Sequence, residues 1–218
     1  MTNLIDDIGN EQSRYCYPNT DILINKKDIK DPILLESVER IIIAYKLAIL
    51  NSGDYSNINQ TWNYDHFMSI HKFLFDELYD FAGEVRRENM FKSIWFIPTV
   101  NASIMLTETL EKMKKKISKY KTREELIKEI ADRFLDLNVI HIFREGNGRT
   151  TREFLREYVE EVSKKTNLNY EIDYKLMTDD IKAKYLEASI KDNNALAYDV
   201  FDSIIVKKEY ENEKGFSK

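Results

Sequence analysis

The chain has 218 residues, 43% of them hydrophobic and 33% charged, with a formal net charge of −5. That length holds one sizeable core with short appendages, the balance is ordinary for a globular protein in water, and the negative charge argues against a general nucleic-acid binder. Six glycines and three prolines are too few for a turn-rich β architecture and favour long helices, an all-α class.

The single cysteine, Cys16, excludes an internal disulfide and suits a reducing compartment. Asp6, Asp7 and Glu11 interrupt the N-terminus too early for a signal peptide. The longest apolar run, Ile41 to Leu50, carries Lys46 and is too short to span a bilayer, so no membrane contact is expected. A cytoplasmic protein is the simplest reading, with a translocated effector bearing an unrecognised secretion signal as the alternative. Three regions are expected: an N-terminal arm and helix over 1–60, a core over 61–165, and C-terminal helices over 166–218 packed on that core.

After a polar arm, Tyr15 to Asn25 reads as an extended segment with a turn at Pro18-Asn19-Thr20. Asp31-Pro32 marks a helix start, acid as N-cap and proline in the first turn, running to about Leu50 and stopping near Asn51-Ser52-Gly53. The next helix is expected over 62–80, with Phe67, Ile70, His71, Leu74 and Leu78 on one side. His66 and His71 lack zinc-ligand spacing, and His71 on an apolar face reads as a hydrogen-bonded packing residue. Gly83 to Pro98 breaks the pattern. Glu84-Val85-Arg86 and Ile94-Trp95-Phe96-Ile97 could form two short strands joined through 89–93, against the plainer reading of a surface loop.

A helix over 102–119 follows, with Met105, Leu106, Leu110 and Met113 as apolar positions and the Lys112 to Lys121 run as a solvated face. Thr122 caps the next helix, whose apolar face is Ile127, Ile130, Ala131, Phe134 and Leu137. Beyond residue 152 another stripe runs through Phe154, Leu155, Tyr158, Val159 and Val162. Two more helices are expected over 173–189, through Leu176, Ile181, Tyr185 and Leu186, and over 194–208. The polar end, 209–218, reads as frayed.

The chemistry concentrates in His141-Ile142-Phe143-Arg144-Glu145-Gly146-Asn147-Gly148-Arg149-Thr150-Thr151-Arg152. Gly146 and Gly148 permit a tight turn into a helix whose first N–H groups are free, with Arg149 and Arg152 as cationic walls: a phosphate nest. Glu145 would repel phosphate alone, so it suits a divalent cation bridging phosphate oxygens. His141 stands where it can take a proton from a hydroxyl, and Phe143 is expected to anchor the loop by burial. Taken singly, the residues have plainer readings: Glu145 could pair with Arg149 as an ion pair, Asn147 could be a turn residue, and Arg156 reads as structural.

This stretch matches the signature H-x-F-x-[DE]-G-N-G-R-x-x-R at every fixed position and so resembles the Fic family of protein adenylyltransferases. His71 to Phe75 with Tyr79 to Arg86 is similar to the stretch before the family's flap, and Lys92 to Pro98 to the flap itself. Ile142 stands where members commonly have proline, which alters loop stiffness only. The first 60 residues resemble the extension of compact bacterial Fic toxins and of some translocated effectors.

The resemblance implies a Fic fold, a helical bundle around the motif helix pair with a β-hairpin flap at 83–98. It also implies AMP transfer from ATP with Mg²⁺. His141 would be the base, with Asn147 beside it. Glu145 would hold the metal, and Gly146, Asn147, Gly148, Arg149 and Arg152 would hold the nucleotide. Lys92 and Phe96 would face a target protein docked along the flap. The intact Gly146 to Arg149 run and Arg152 favour AMP transfer over the phosphoryl transfer of a divergent branch. The family's inhibitory pattern [ST]-x-x-x-E-[GN] has no intact match: Lys112 spoils Thr107 to Glu111, and Lys207 stands four before Glu211-Asn212. Two outcomes follow from the resemblance: a toxin restrained by a separate antitoxin whose glutamate pairs with Arg152, which is the favoured reading, or an unrestrained enzyme. An effector acting on host GTPases, an enzyme using another nucleotide donor, and an idle binding module are the alternatives.

Overall fold

A computed structural model describes residues 12–208. The expected arm over the first eleven residues and the polar end from 209 lie outside the described residues, as does Glu211. Among those described, seven α-helices and two small antiparallel strand pairs form an all-α architecture. No helix is long and apolar enough to cross a membrane.

Helix α1 spans Pro32–Asn51, and the Asp31 side chain accepts the N–H groups of Ile33 and Leu34, as an acid before proline should. Helix α2, Tyr64–Phe75, is shorter than expected and ends with Asp76 as its C-cap. Leu78 nonetheless stays fully buried from the turn that follows. Helix α3 is Thr99–Lys114; Leu106, Leu110 and Met113 are buried whereas Met105 faces outward.

Helices α4 (Arg123–Ile140) and α5 (Asn147–Thr166) form the centre. Every apolar residue expected on their inner faces is buried. That burial follows from the 3.6-residue period alone. Thr122 caps α4 through the N–H of Glu125. Helix α2 lies against α5, and α7 (Asn194–Ile204) against α4, with α6 (Asp179–Lys191) covering α7. Phe201 of α7 meets Phe134 of α4 edge-on at 5.5 Å.

Three features depart from the sequence reading. The hairpin beside α3 pairs β1 (Phe91–Lys92) with β2 (Ile94–Trp95), not Glu84-Val85-Arg86 with 94–97. Arg86 cannot serve as a strand residue because its side chain is buried in a carbonyl cage. The last helix stops at Ile204, and Ile205–Lys207 (β4) pairs with Tyr170–Ile172 (β3), a contact between segments too far apart for local pattern to reveal. Leu176 sits in a 3₁₀ turn ahead of α6, and both it and Leu186 are exposed, so α6 has a narrower inner face than its composition suggests.

Truncating a fully buried aromatic between α4 and α7 should test this packing. Phe201→Ala is expected to cost about 4 kcal/mol and lower the thermal midpoint by roughly 10 °C, read by denaturant and thermal unfolding.

Candidate active site

Helix α4 ends at His141, whose backbone is left-handed at φ 44 and whose N–H bonds back to Leu137 O at 3.2 Å. A β-unbranched residue tolerates that conformation at some cost, and such strain gathers at functional sites. The turn then runs inward, burying Ile142 and Phe143. It rises again through Gly146, also left-handed at φ 81, into the first turn of α5.

Glycine is obligatory at 146 for a second reason, because a Cβ there would run into the ring of Phe75. Gly148 is different. Its φ is ordinary, and a Cβ would lie 3.4 Å from Nη1 of Arg152. Its bareness therefore keeps the helix mouth open beside that arginine.

Asn147 holds the turn shut. Its Oδ1 accepts the Phe143 N–H at 2.9 Å and its Nδ2 donates to Phe143 O at 2.7 Å. The loop thus engages Oδ1 and one of the two Nδ2 hydrogens. The N–H groups of Asn147, Gly148 and Arg149 open α5 and have no intrahelical acceptor. They are the donors left for an anion.

His71 buttresses the same turn from α2. Its Nδ1 accepts the Gly83 N–H at 2.8 Å, so the proton sits on Nε2, which donates to Glu145 O at 2.9 Å. The ring is sandwiched between Phe143, 3.7 Å away, and Phe75. Burial pushes its pKa down to about 4, and the neutral tautomer is the one both bonds require. His66 pairs with Glu157 in the core at 3.0 Å. Cys16 is buried, with Arg144 directed at its sulfur.

His141 is also held neutral, its pKa lowered by burial to about 4. Its Nδ1 lies 3.3 Å from Asn138 O. A carbonyl only accepts, so Nδ1 carries the proton and Nε2 keeps a free lone pair. Phe96 stacks on this imidazole at 3.7 Å, nearly parallel. Phe96 is buried by that contact, so it is not available as the solvent-facing docking side chain expected of it. Lys92, one residue before the hairpin tip, is exposed. Trp95, at the end of β2, is 61% exposed, and Phe96, just past the strand, turns inward.

Arg86 ties hairpin to motif. Although its side chain is almost wholly buried, no carboxylate among the described residues pairs with it. Nε donates to His141 O at 2.7 Å, Nη1 to Glu88 O at 2.6 Å, and Nη2 to Ile97 O, while its backbone N–H reaches Ile142 O at 2.9 Å. One cation thus gathers the carbonyls of the α4 terminus and both hairpin flanks, where the helix dipole is negative.

The charged residues of the turn sit at its outer side. Glu145 Oε1 accepts the Gly146 N–H at 2.8 Å and meets Arg149 Nη2 at 3.1 Å. Burial would raise its pKa, but Arg149 and the Gly146 N–H turn the shift downward, leaving a carboxylate. Among the described residues no cluster of three metal-ligating side chains exists. One ionised carboxylate with its second oxygen uncommitted fits a hard cation that takes its other ligands from phosphate and water. Arg149 lies 4.8 Å over the Phe75 ring and also pairs with Glu39 of α1, which sequence reasoning did not single out. Arg152 hydrogen-bonds Tyr185 of α6, and Tyr174 bonds its backbone carbonyl at 3.0 Å. Arg156, as read, is structural, paired with Glu153, Glu160 and Tyr55.

A helical core whose central pair is joined by a histidine-headed glycine turn, with a hairpin pinned beside it, defines the class of protein. Residues 61–159 match the Fic/DOC family, and the chain belongs to that family. The protein adenylyltransferase VbhT of Bartonella schoenbuchensis is 30% identical over 156 residues, 67% of this chain and 30% of that protein's length. The probable protein adenylyltransferase y4lH of Sinorhizobium fredii is 28% identical over 64% of this chain and 71% of its own. The chain thus spans under a third of the first relative's length and most of the second's. Among solved structures, the BepC effector of Bartonella tribocorum with bound AMPPNP superposes with a TM-score of 0.73 at 22% identity. That comparison covers 89% of this chain and 97% of that one. At that identity the likeness speaks for the fold.

Two outcomes are expected of the turn. Gly146→Ala should lose nucleotide-dependent activity together with several degrees of thermal stability, whereas Gly148→Ala should keep the stability. The neutral histidine buttress sets the second. His71 binds its proton more weakly folded than unfolded, so its contribution is complete above about pH 6.5 and drains away towards pH 4. The denaturant midpoint should fall between pH 7 and pH 5, and His71→Gln should shrink that fall.

Proposed function

We propose that this chain is a protein adenylyltransferase, moving AMP from ATP to a tyrosine, threonine or serine hydroxyl of another protein. The observation that carries the reading is the tautomer of His141. Its Nδ1–H is committed to Asn138, which leaves the Nε2 lone pair as base beside an anion-binding helix mouth. The names of the relatives support the same activity.

In this mechanism the triphosphate lies over the opening turn of α5, where the N–H groups of Asn147, Gly148 and Arg149 meet developing charge on the α-phosphate. Arg149 and Arg152 hold the remaining phosphates and fix the nucleotide's direction. Mg²⁺, held by Glu145, would supply charge neutralisation between phosphate oxygens. A target segment lies along the β1–β2 hairpin near Lys92, by strand addition. His141 Nε2 takes the hydroxyl proton, the oxygen bonds the α-phosphorus, and the bond to the β-bridging oxygen breaks with release of pyrophosphate.

The restraint on such an activity is read as external. Among the described residues Arg152 pairs with Tyr185 and with no carboxylate, which suits a small antitoxin bringing its own glutamate. A host-directed effector remains the second reading, favoured by the likeness of fold to translocated Bartonella proteins.

The test uses ATP labelled at the α- or the γ-phosphate, Mg²⁺, and bacterial or eukaryotic lysate as target pool. Label is expected only from the α-position, and His141→Ala should reduce it by at least about a hundredfold. Label from the γ-position would make the protein a kinase and overturn the nucleotide direction argued above.

A further inference from the structure

Helix α1 reaches into the site from outside the segment that matches the family. Its Glu39 is buried to 13% side-chain exposure, and both its oxygens are engaged. Oε1 accepts from Nη1 of Arg149, and Oε2 accepts from the hydroxyl of Tyr79, itself fixed in the core behind α2. Burial and the Glu39 carboxylate keep that phenol protonated, its pKa raised well above the ordinary value, so it remains a donor.

Arg149 therefore sits between two carboxylates that differ in kind. Glu145 is 40% exposed and reaches Arg149 through the same oxygen that caps Gly146. Glu39 is enclosed and clamped from behind. A guanidinium has five N–H donors, and these two bonds leave the others for a ligand. The guanidinium carbon lies 4.8 Å from the Phe75 ring centroid, a third contact on the same group.

We propose that Glu39 is the positioning residue of the phosphate site, holding the Arg149 guanidinium in its binding orientation through the Tyr79–Glu39–Arg149 chain. The proposal rests on the reading that Arg149 binds nucleotide phosphate. It assigns the two acids different tasks. Glu145 is free to turn to a cation, and when it does, Glu39 is the carboxylate that keeps Arg149 from swinging into solvent. An enclosed, doubly bonded carboxylate is poorly suited to the opposite task, that of a competitor vacating the arginine when phosphate arrives. Helix α1 is then part of the site.

The experiment uses the full chain and Glu39→Gln, Glu39→Ala and Tyr79→Phe. Side-chain ¹⁵N spectra report whether the Arg149 Nη groups rotate slowly, with Arg149→Lys giving the assignment, and they need no turnover. Distinct, slowly rotating Nη signals are expected in the wild type, weakened in Tyr79→Phe and lost in Glu39→Ala. ATP titration of AMP transfer should then show KM raised roughly tenfold or more in Glu39→Ala, less in Glu39→Gln, and kcat changed far less. A plain structural defect would instead lower the active fraction and the thermal midpoint with KM unchanged. Should Glu39→Ala not fold, Tyr79→Phe carries both measurements. Unaltered Nη signals in the variants would overturn the proposal, as would a lower KM, which would make Glu39 a competitor. Ordered Nη signals that depend on Glu39, in a protein that transfers no AMP, would leave the positioning intact and sink the activity.

Discussion

The turn between α4 and α5 depends on one side chain closing on the backbone of one residue. The amide of Asn147 takes both the N–H and the carbonyl of Phe143, four residues back, and so shuts a loop that would otherwise bury unpaired backbone groups. With that loop closed, Phe143 must point inward onto His71 and Phe67, and Gly146 must cross the face of Phe75. His141 is left at the lip with a left-handed backbone. The path of the backbone from His141 to the helix mouth follows from this closure.

Around the closed loop the molecule spends its buried polar groups on orientation. His71 from α2 fixes the Glu145 carbonyl, Arg86 fixes the His141 carbonyl, and Asn138 fixes the imidazole proton. A buried arginine that meets carbonyls alone gains little stability, because desolvation consumes what three charge-assisted bonds return. Its value is geometric. It sets the distance between the hairpin and the imidazole, and Phe96, carried on the hairpin, stacks on that ring as a result. Hairpin position and base orientation are thereby coupled: movement of β1 and β2 away from α4 would expose His141 to water and undo the burial that keeps it neutral.

What the sequence made legible follows from periodicity and local chemistry. The Asp31-Pro32 start, the Thr122 cap and the inner faces of α4 and α5 depend on neighbours within one or two turns, and each stands where the pattern puts it. The motif is legible because its glycines and charges are contiguous. What failed is long-range. Nothing near Ile172 announces pairing with Ile205, and nothing in Glu84-Val85-Arg86 reveals that Arg86 is needed inside a cage of carbonyls built from three segments. Phe96 was misjudged for want of the hairpin register, since a slip of one residue exchanges inner and outer faces.

Asn147 and Glu39 teach the complementary lesson. A signature conserves residue types at fixed spacing, and it is tempting to give each member a contact with substrate. Here the asparagine closes the loop, and a glutamate more than a hundred residues upstream, in no motif, stands at the arginine's side. The reason is steric. Only a few atoms can approach a triphosphate at hydrogen-bond distance, and small donors such as backbone N–H groups and a flat guanidinium fill that shell. The residues that make such donors rigid must come from behind them, and chain connectivity places no limit on where behind may be. A site assembled from one contiguous turn therefore still draws its stiffness from α1, α2 and the hairpin.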